Sequence, residues 1–182
     1  MSQIHVGVIV GSLRKASFNR RLAKAVISLA PSDLKFSFIE IGHLPLYNEE
    51  QDANQPESSL EFKSALASVD ALLFVTPEYN RSVPGVLKNA LDVGSRPWGQ
   101  NSFAGKPGAV IGASVGAMGS ALAQQHLRNI LSYLEVPLLT QPEVYLHFTE
   151  DLIDAQGNVQ NERTRQFLQK FVDQYVQWLR KF

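Results

Sequence analysis

The stretch "IHVGVIVGSLRKASFNRRL", Ile4 to Leu22, passes in one step from an apolar run to a polar turn and then to residues with helical spacing. Ile4–Val10 has the length of a strand and almost no polar content. Both of its faces are therefore expected to be buried, the mark of a parallel sheet. Leu22, Ala25, Val26 and Leu29 then recur at intervals of three and four and predict a helix over 19–29. A strand, a loop and a helix in that order are the first half of a crossover unit.

Outward from this stretch the same alternation repeats. Short apolar runs stand at 35–41 ("KFSFIEI"), 71–76 ("ALLFVT") and 108–113 ("GAVIGA"), with a weaker one at 136–140 ("VPLLT"). Between and after them, helical spacing covers 58–69, 84–93, 119–134 and 161–181. Five strands alternating with five helices predict an α/β three-layer sandwich: a five-stranded parallel sheet of order 2-1-3-4-5 with helices on both faces. The 182 residues are expected to form a single domain, 1–182. The polar stretch 48–59 is too short for a linker and reads as a surface loop.

Composition narrows the function. Hydrophobic residues make up 45% and charged residues 19%, as in ordinary globular chains. Lys+Arg and Asp+Glu stand at 17 each, so there is no basic excess for nucleic acid or a membrane surface. There is no cysteine, hence no disulfide, thiolate nucleophile or zinc–thiolate site. Redox chemistry would need a cofactor. The first apolar run is far below the roughly 20 residues of a membrane span, and a cytoplasmic location is the default expectation. The four histidines (His5, His43, His126, His147) have no metal-ligand spacing, and no metal is expected.

In a sheet of this order, ligands sit beyond the carboxyl ends of the strands at the switch point. The loop after the first strand offers Ser12, Arg14, Ser17 and Asn19, and the helix that follows turns its free N–H groups and positive dipole end into it. Together they suit a compact dianion. Neither the triphosphate loop G-x-x-x-x-G-K-[ST] nor the dinucleotide fingerprint G-x-G-x-x-G is present; the loop has only Gly11. A terminal monophosphate fits better, and FMN ends in one.

The loop after the third strand opens "TPEYNRSVPGVLKNALD" (76–92). Pro77 ends the strand because it cannot donate to the ladder. Glu78, Tyr79 and Asn80 combine an aromatic with carboxylate and amide, a set that suits the edge of a planar heterocycle. Pro84-Gly85 opens a helix. After the fourth strand, "GASVGAMGSAL" spaces Gly112, Gly116 and Gly119 one residue too wide for the dinucleotide fingerprint. These glycines serve either close strand-to-helix packing or the approach of backbone to a flat ring.

Three stretches in register, "GSLRKASFN", "TPEYNRSVPGVLKNALD" and "GASVGAMG", resemble the NADPH-dependent FMN reductase family of flavodoxin-like proteins, its bacterial quinone and chromate reductases especially, from about residue 4 to about residue 145. The resemblance implies FMN as cofactor and NADPH or NADH as co-substrate. It implies that Ser12, Arg14, Ser17 and Asn19 hold the FMN phosphate. Pro77, Glu78, Tyr79 and Asn80 would line the flavin ring, largely through backbone groups. Ser114 and the Gly116 backbone would approach the other edge. Hydride would pass to FMN and on to a small acceptor (a quinone, a free flavin, chromate or similar) by ping-pong turnover, with no catalytic side chain. A homodimer or homotetramer is implied. A flavodoxin-type electron carrier is the alternative; such carriers usually show a Thr/Gly-rich phosphate loop and a strongly acidic surface, which this chain lacks.

Overall fold

In the computed structural model, which describes residues 3–182, the opening run is β1 (Ile4–Val10), followed by α1 (Phe18–Leu29). Then come β2 (Leu34–Phe38), α2 (Glu57–Ala67), β3 (Ala71–Val75) and α3 (Gly85–Gly94). β4 (Gly108–Ser114), α4 (Ala121–Tyr133), β5 (Tyr145–His147) and α5 (Glu162–Leu179) complete the order. The sheet runs β2-β1-β3-β4-β5 and every pairing is parallel. Val8, for example, stands beside Phe38 on one side and Leu73 on the other. The polar stretch 48–59 contains one short 3-10 turn, Glu49–Gln51, capped by the Asn48 side chain.

Side-chain alternation divides the core between two faces. Val6, Val8, Val10, Leu73 and Val75 pack against α1 and α5, with Leu22, Phe171 and Tyr175. Ile9, Leu72 and Phe74 point the other way, onto Phe62 and Leu66 of α2 and Leu87 and Leu91 of α3. β3 is buried at all five positions, which is why its sequence is continuous "ALLFV" rather than alternating. The Tyr175 hydroxyl satisfies itself in this core by donating to the Leu72 carbonyl at 2.9 Å, and burial drives its ionisation upward.

One expected boundary is corrected. The fifth strand is Tyr145–His147, not 136–140. The run "VPLLT" lies on the same edge of β4 but makes only a single bridge, Gly108 to Leu138. Pro137 and Pro142 have no N–H to give to the ladder, so pairing with the start of β4 breaks off and resumes at Gly112–Ser114.

Behind α1 the chain forms a hairpin around Asp154, closed by a bridge between Ile153 and Val159. The Asp154 carboxylate accepts from the backbone N–H of Gln156 and Asn158 and from the Asn158 and Gln160 side-chain amides. The Asn158 amide is the largest of the bonds that hold this carboxyl below its ordinary value. The stabilisation is thus present above the unfolded value of 3.8 and is lost as pH falls through the lower folded value. Protease nicking within 149–160 is expected to rise only when the solution is taken below about pH 4. In Asp154→Ala it should already be high at neutral pH and change little on acidification.

Candidate active site

Three loops meet at the carboxyl end of the sheet, and particular contacts bring them together. Gly11 N donates to Val75 O at 2.9 Å, and a Cβ at Gly11 would touch Pro77 Cδ and Thr76 Oγ1, each at 3.4 Å, so the first loop lies against the third. Asn19, buried in α1, donates its amide to Ala113 O at 3.0 Å and accepts from Ala113 N at 2.9 Å. β3 and β4 pair only as far as Val75 and Ile111, because the chain turns away at Pro77. The Asn19 side chain takes up the backbone groups that a longer β3 would have paired. This is a different part from the phosphate contact expected of Asn19: it fixes the first loop to the fourth.

The first loop itself keeps the donors of an anion site. Ser17 caps α1, its Oγ accepting from Arg20 N at 3.2 Å, which leaves its hydroxyl hydrogen free to donate. No acidic residue stands in the first turn of α1. Ser12 is half-buried and Arg14 exposed. The other cations nearby are already engaged. Arg20 pairs with Glu40 at 2.7 Å, Arg21 with Glu150 at 2.8 Å, and Lys24 donates to Ala155 O. Arg14 and Lys15 have no carboxylate partner among the described residues. Arg14 instead lies over the Phe18 ring, 4.7 Å from its centroid, and Phe18 stacks on Phe148 at 4.3 Å. Lys15, not among the residues singled out from sequence, joins Ser12 and Arg14 in lining a cleft of about 290 Å³ on the β2 side of the loop.

In the third loop Pro77 is buried, and its carbonyl accepts from Thr76 Oγ1 at 2.8 Å. The Glu78 carboxylate turns to α4 and accepts from Leu122 N at 3.0 Å and Ala123 N at 3.1 Å. α4 needs that cap, because Ser120 at its start is left-handed (φ 72°) and makes no side-chain cap bond of its own. Oε2 of Glu78 is thus committed to α4, and the Glu78 backbone remains to face a ligand. Tyr79 to Ser82 form a tight hairpin with reciprocal backbone bonds, Tyr79 N to Ser82 O at 3.1 Å and Ser82 N to Tyr79 O at 3.0 Å. Its two central residues, Asn80 and Arg81, have φ of 51° and 62°. Tyr79 is half exposed, and Asn80 is exposed.

The fourth loop answers the question its glycines raised. Gly112 and Gly119 serve packing: a Cβ on Gly112 would stand 2.2 Å from Thr76 O, and one on Gly119, at φ 55°, 2.5 Å from the backbone of Tyr145. Gly116 is free, with only Ser114 Oγ near, at 3.5 Å, and its N–H donates to that oxygen. Val115 and Met118 beside it are exposed. The end of the sheet thus presents hydroxyls, an unpaired arginine and a helix N-terminus at one side. At the other lies a surface of backbone, tyrosine and exposed apolar side chains. This donor set fits FMN: the first part suits a phosphate dianion and the second a flat, amphipathic ring.

Sequence reading missed the Glu78 cap and the contact of Ser82 Oγ with His126 Nδ1 at 2.9 Å, which ties the hairpin to α4. Neither has a local signal, since both partners lie more than forty positions away.

Known proteins resemble the chain over nearly its whole length. The family model described as NADPH-dependent FMN reductase matches residues 4–151. A 2-hydroxy-1,4-benzoquinone reductase from Burkholderia sp. is 56% identical over 177 residues, 97% of each chain. A quinone reductase of Pseudomonas putida is 50% identical over 182 residues, covering 99% of this chain and 97% of that one. Among solved structures, the flavoenzyme NAD(P)H:(acceptor) oxidoreductase FerB from Paracoccus denitrificans superposes with a TM-score of 0.93 at 47% identity, covering 98% of both chains.

Proposed function

The chain belongs to the NADPH-dependent FMN reductase family and is an FMN-dependent oxidoreductase driven by NAD(P)H; on that premise we propose that its acceptor is a small quinone, a hydroxylated benzoquinone in particular, taken up on the open face beside Tyr79. The observation that carries the reading is the division of the site into a phosphate-suited loop and a surface of exposed Tyr79, Val115 and Met118. The hydroxyquinone reductase at 56% identity supports the choice of acceptor class.

When bound, FMN supplies hydride acceptance from NAD(P)H and electron delivery to the acceptor. The work of the chain is to bind and to orient. Ser12, Ser17 and Arg14 hold the phosphate, with the first-turn N–H groups of α1 adding dipole. The backbone of Pro77–Asn80 lines one ring edge, and Ser114, whose Oγ accepts from the Gly116 N–H and keeps its own hydrogen to donate, lines the other with the Gly116 backbone. Tyr79 walls the open face, where nicotinamide and quinone bind in turn at stacking distance. No side chain is needed as nucleophile or metal ligand. The same reading makes the protein a cytoplasmic homodimer or homotetramer; the exposed Trp98 and Tyr133, away from the ligand loops, support a covered surface.

The test is the visible spectrum of the FMN-loaded protein under anaerobic conditions. NADPH or NADH is expected to bleach the flavin bands, and 2-hydroxy-1,4-benzoquinone to restore them. Initial-rate plots against NAD(P)H at several quinone concentrations should be parallel, because the dinucleotide leaves before the acceptor enters. Flavin bands that NAD(P)H bleaches but the quinone fails to restore would exclude the acceptor class.

A further inference from the structure

Arg81 stands where the backbone favours another residue. It is the second central residue of the Tyr79–Ser82 hairpin, at φ 62°, a conformation that glycine adopts freely and a long side chain does not. Asn80 before it, at φ 51°, is a residue type that tolerates this region; arginine is not. Such backbone persists only when the surroundings hold it, and the inference runs from the outlier to a use. Here the hairpin is held from outside on both arms, and both anchors are on α4. Glu78 accepts from the N–H groups of Leu122 and Ala123, and Ser82 Oγ meets His126 Nδ1 at 2.9 Å.

The charge is also unanswered. Arg20, Arg21, Arg165 and Arg180 pair with carboxylates, while Arg14 and Arg96 lie over aromatic rings. Arg81 is exposed and has neither kind of partner among the described residues. The nearest carboxylate in sequence, Glu78, is occupied at the α4 N-terminus and does not neutralise it. A braced, strained turn thus carries an exposed and uncompensated guanidinium, two residues on from Tyr79.

We propose that Arg81 is the specificity-determining residue for the acceptor: its guanidinium binds the ionised oxygen of an anionic quinone and so selects hydroxyquinones over neutral ones. A hydroxyl on a benzoquinone is a vinylogous carboxylic acid and is ionised at neutral pH. A guanidinium meets such an oxygen by charge-assisted hydrogen bonds, stronger than neutral ones. The proposal rests on the quinone-reductase reading of this site and names the residue that sets the preference.

Redox-inert probes separate binding from turnover. 4-Hydroxycoumarin is planar and ionised at neutral pH; coumarin is planar and neutral. Each is titrated into FMN-loaded protein, and binding is read from the shift of the flavin band. Arg81→Gln is expected to weaken 4-hydroxycoumarin about tenfold and to leave coumarin unchanged. Arg81→Lys should recover part of the loss. Arg81→Gly, which removes strain as well as charge, should lose as much as Arg81→Gln while its melting temperature stays level or rises. In turnover, kcat/KM for 2-hydroxy-1,4-benzoquinone should fall in Arg81→Gln, with 1,4-benzoquinone and the KM for NADH unaffected. Equal loss for both probes, or an effect confined to the KM for NADH, as contact with the dinucleotide pyrophosphate would give, overturns the assignment. Failure of the wild type to reduce any quinone despite bleaching by NADPH would instead refute the acceptor reading beneath it.

Discussion

Gly112→Ala is expected to destabilise the protein by about 3 kcal/mol or more, a fall in melting temperature on the order of 10 °C. The added carbon would stand 2.2 Å from Thr76 O and 2.3 Å from Ser120 Oγ. The serine can rotate, but the carbonyl belongs to the backbone at the end of β3 and cannot move without dislodging the turn into Pro77. The loss would therefore spread to the ligand loops, and flavin binding should fail with the fold. Gly116→Ala is the contrast that makes the prediction sharp. It sits four residues on in the same glycine-rich run, with its nearest neighbour at 3.5 Å. Its stability change should stay within about 0.5 kcal/mol, like that of other open surface positions. Thermal unfolding of the two variants in parallel checks this. Equal destabilisation, or none in Gly112→Ala, would contradict the division of the run into packing and ligand-facing glycines.

Arg14→Ala is expected to raise the dissociation constant for FMN by about 10- to 100-fold, the range for a charge-assisted contact to a phosphate. Riboflavin, which has the ring and no phosphate, should bind the variant and the wild type alike. That comparison isolates the phosphate from the ring. Arg14 is exposed and only lies over Phe18, whose stack on Phe148 survives the substitution, so melting of the apoprotein should hardly change. Raising the salt concentration should weaken FMN in the wild type more than in the variant. FMN affinity unchanged by Arg14→Ala would remove the residue from the phosphate site and leave Lys15 as the cation to replace next.

The assignment of roles has a common physical form. Hydride transfer between a nicotinamide and a flavin needs stacking and orientation more than acid–base help. A chain without cysteine can therefore serve by supplying a phosphate grip, two ring edges and an open face. What the chain adds is rigidity. The loops are held by buried or braced contacts: Asn19 ties the first to the fourth through Ala113, and Glu78 and Ser82 tie the third to α4. Selection among acceptors then falls to the residue that the rigid hairpin presents.

The first four strands, the parallel order and the three ligand loops were legible in the sequence, because burial on both faces and helical spacing are local patterns of side-chain type. The donors of the first loop were legible for the same reason: Ser12, Arg14 and Ser17 lie within six residues of one another. The fifth strand was not: the run 136–140 was expected to form it and Tyr145–His147 does, although Pro137 and Pro142 are visible; an apolar run does not reveal which rungs its edge partner offers. Asn19 looked like one more phosphate donor, and the sequence showed no partner for the Glu78 carboxylate. Their actual partners, Ala113 and the start of α4, are 94 and 44 positions distant. Gly112 and Gly116 are the same residue type in the same run, and only the approach of Thr76 O to one of them separates their roles. By itself, then, the sequence determined which segments are buried and which residue types gather at the sheet's end. The tertiary structure decided which of those polar groups are consumed in holding the loops and which remain to meet a ligand. A hydrogen bond is spent on whichever partner folding brings within 3 Å or so, and that partner is seldom a neighbour in the chain.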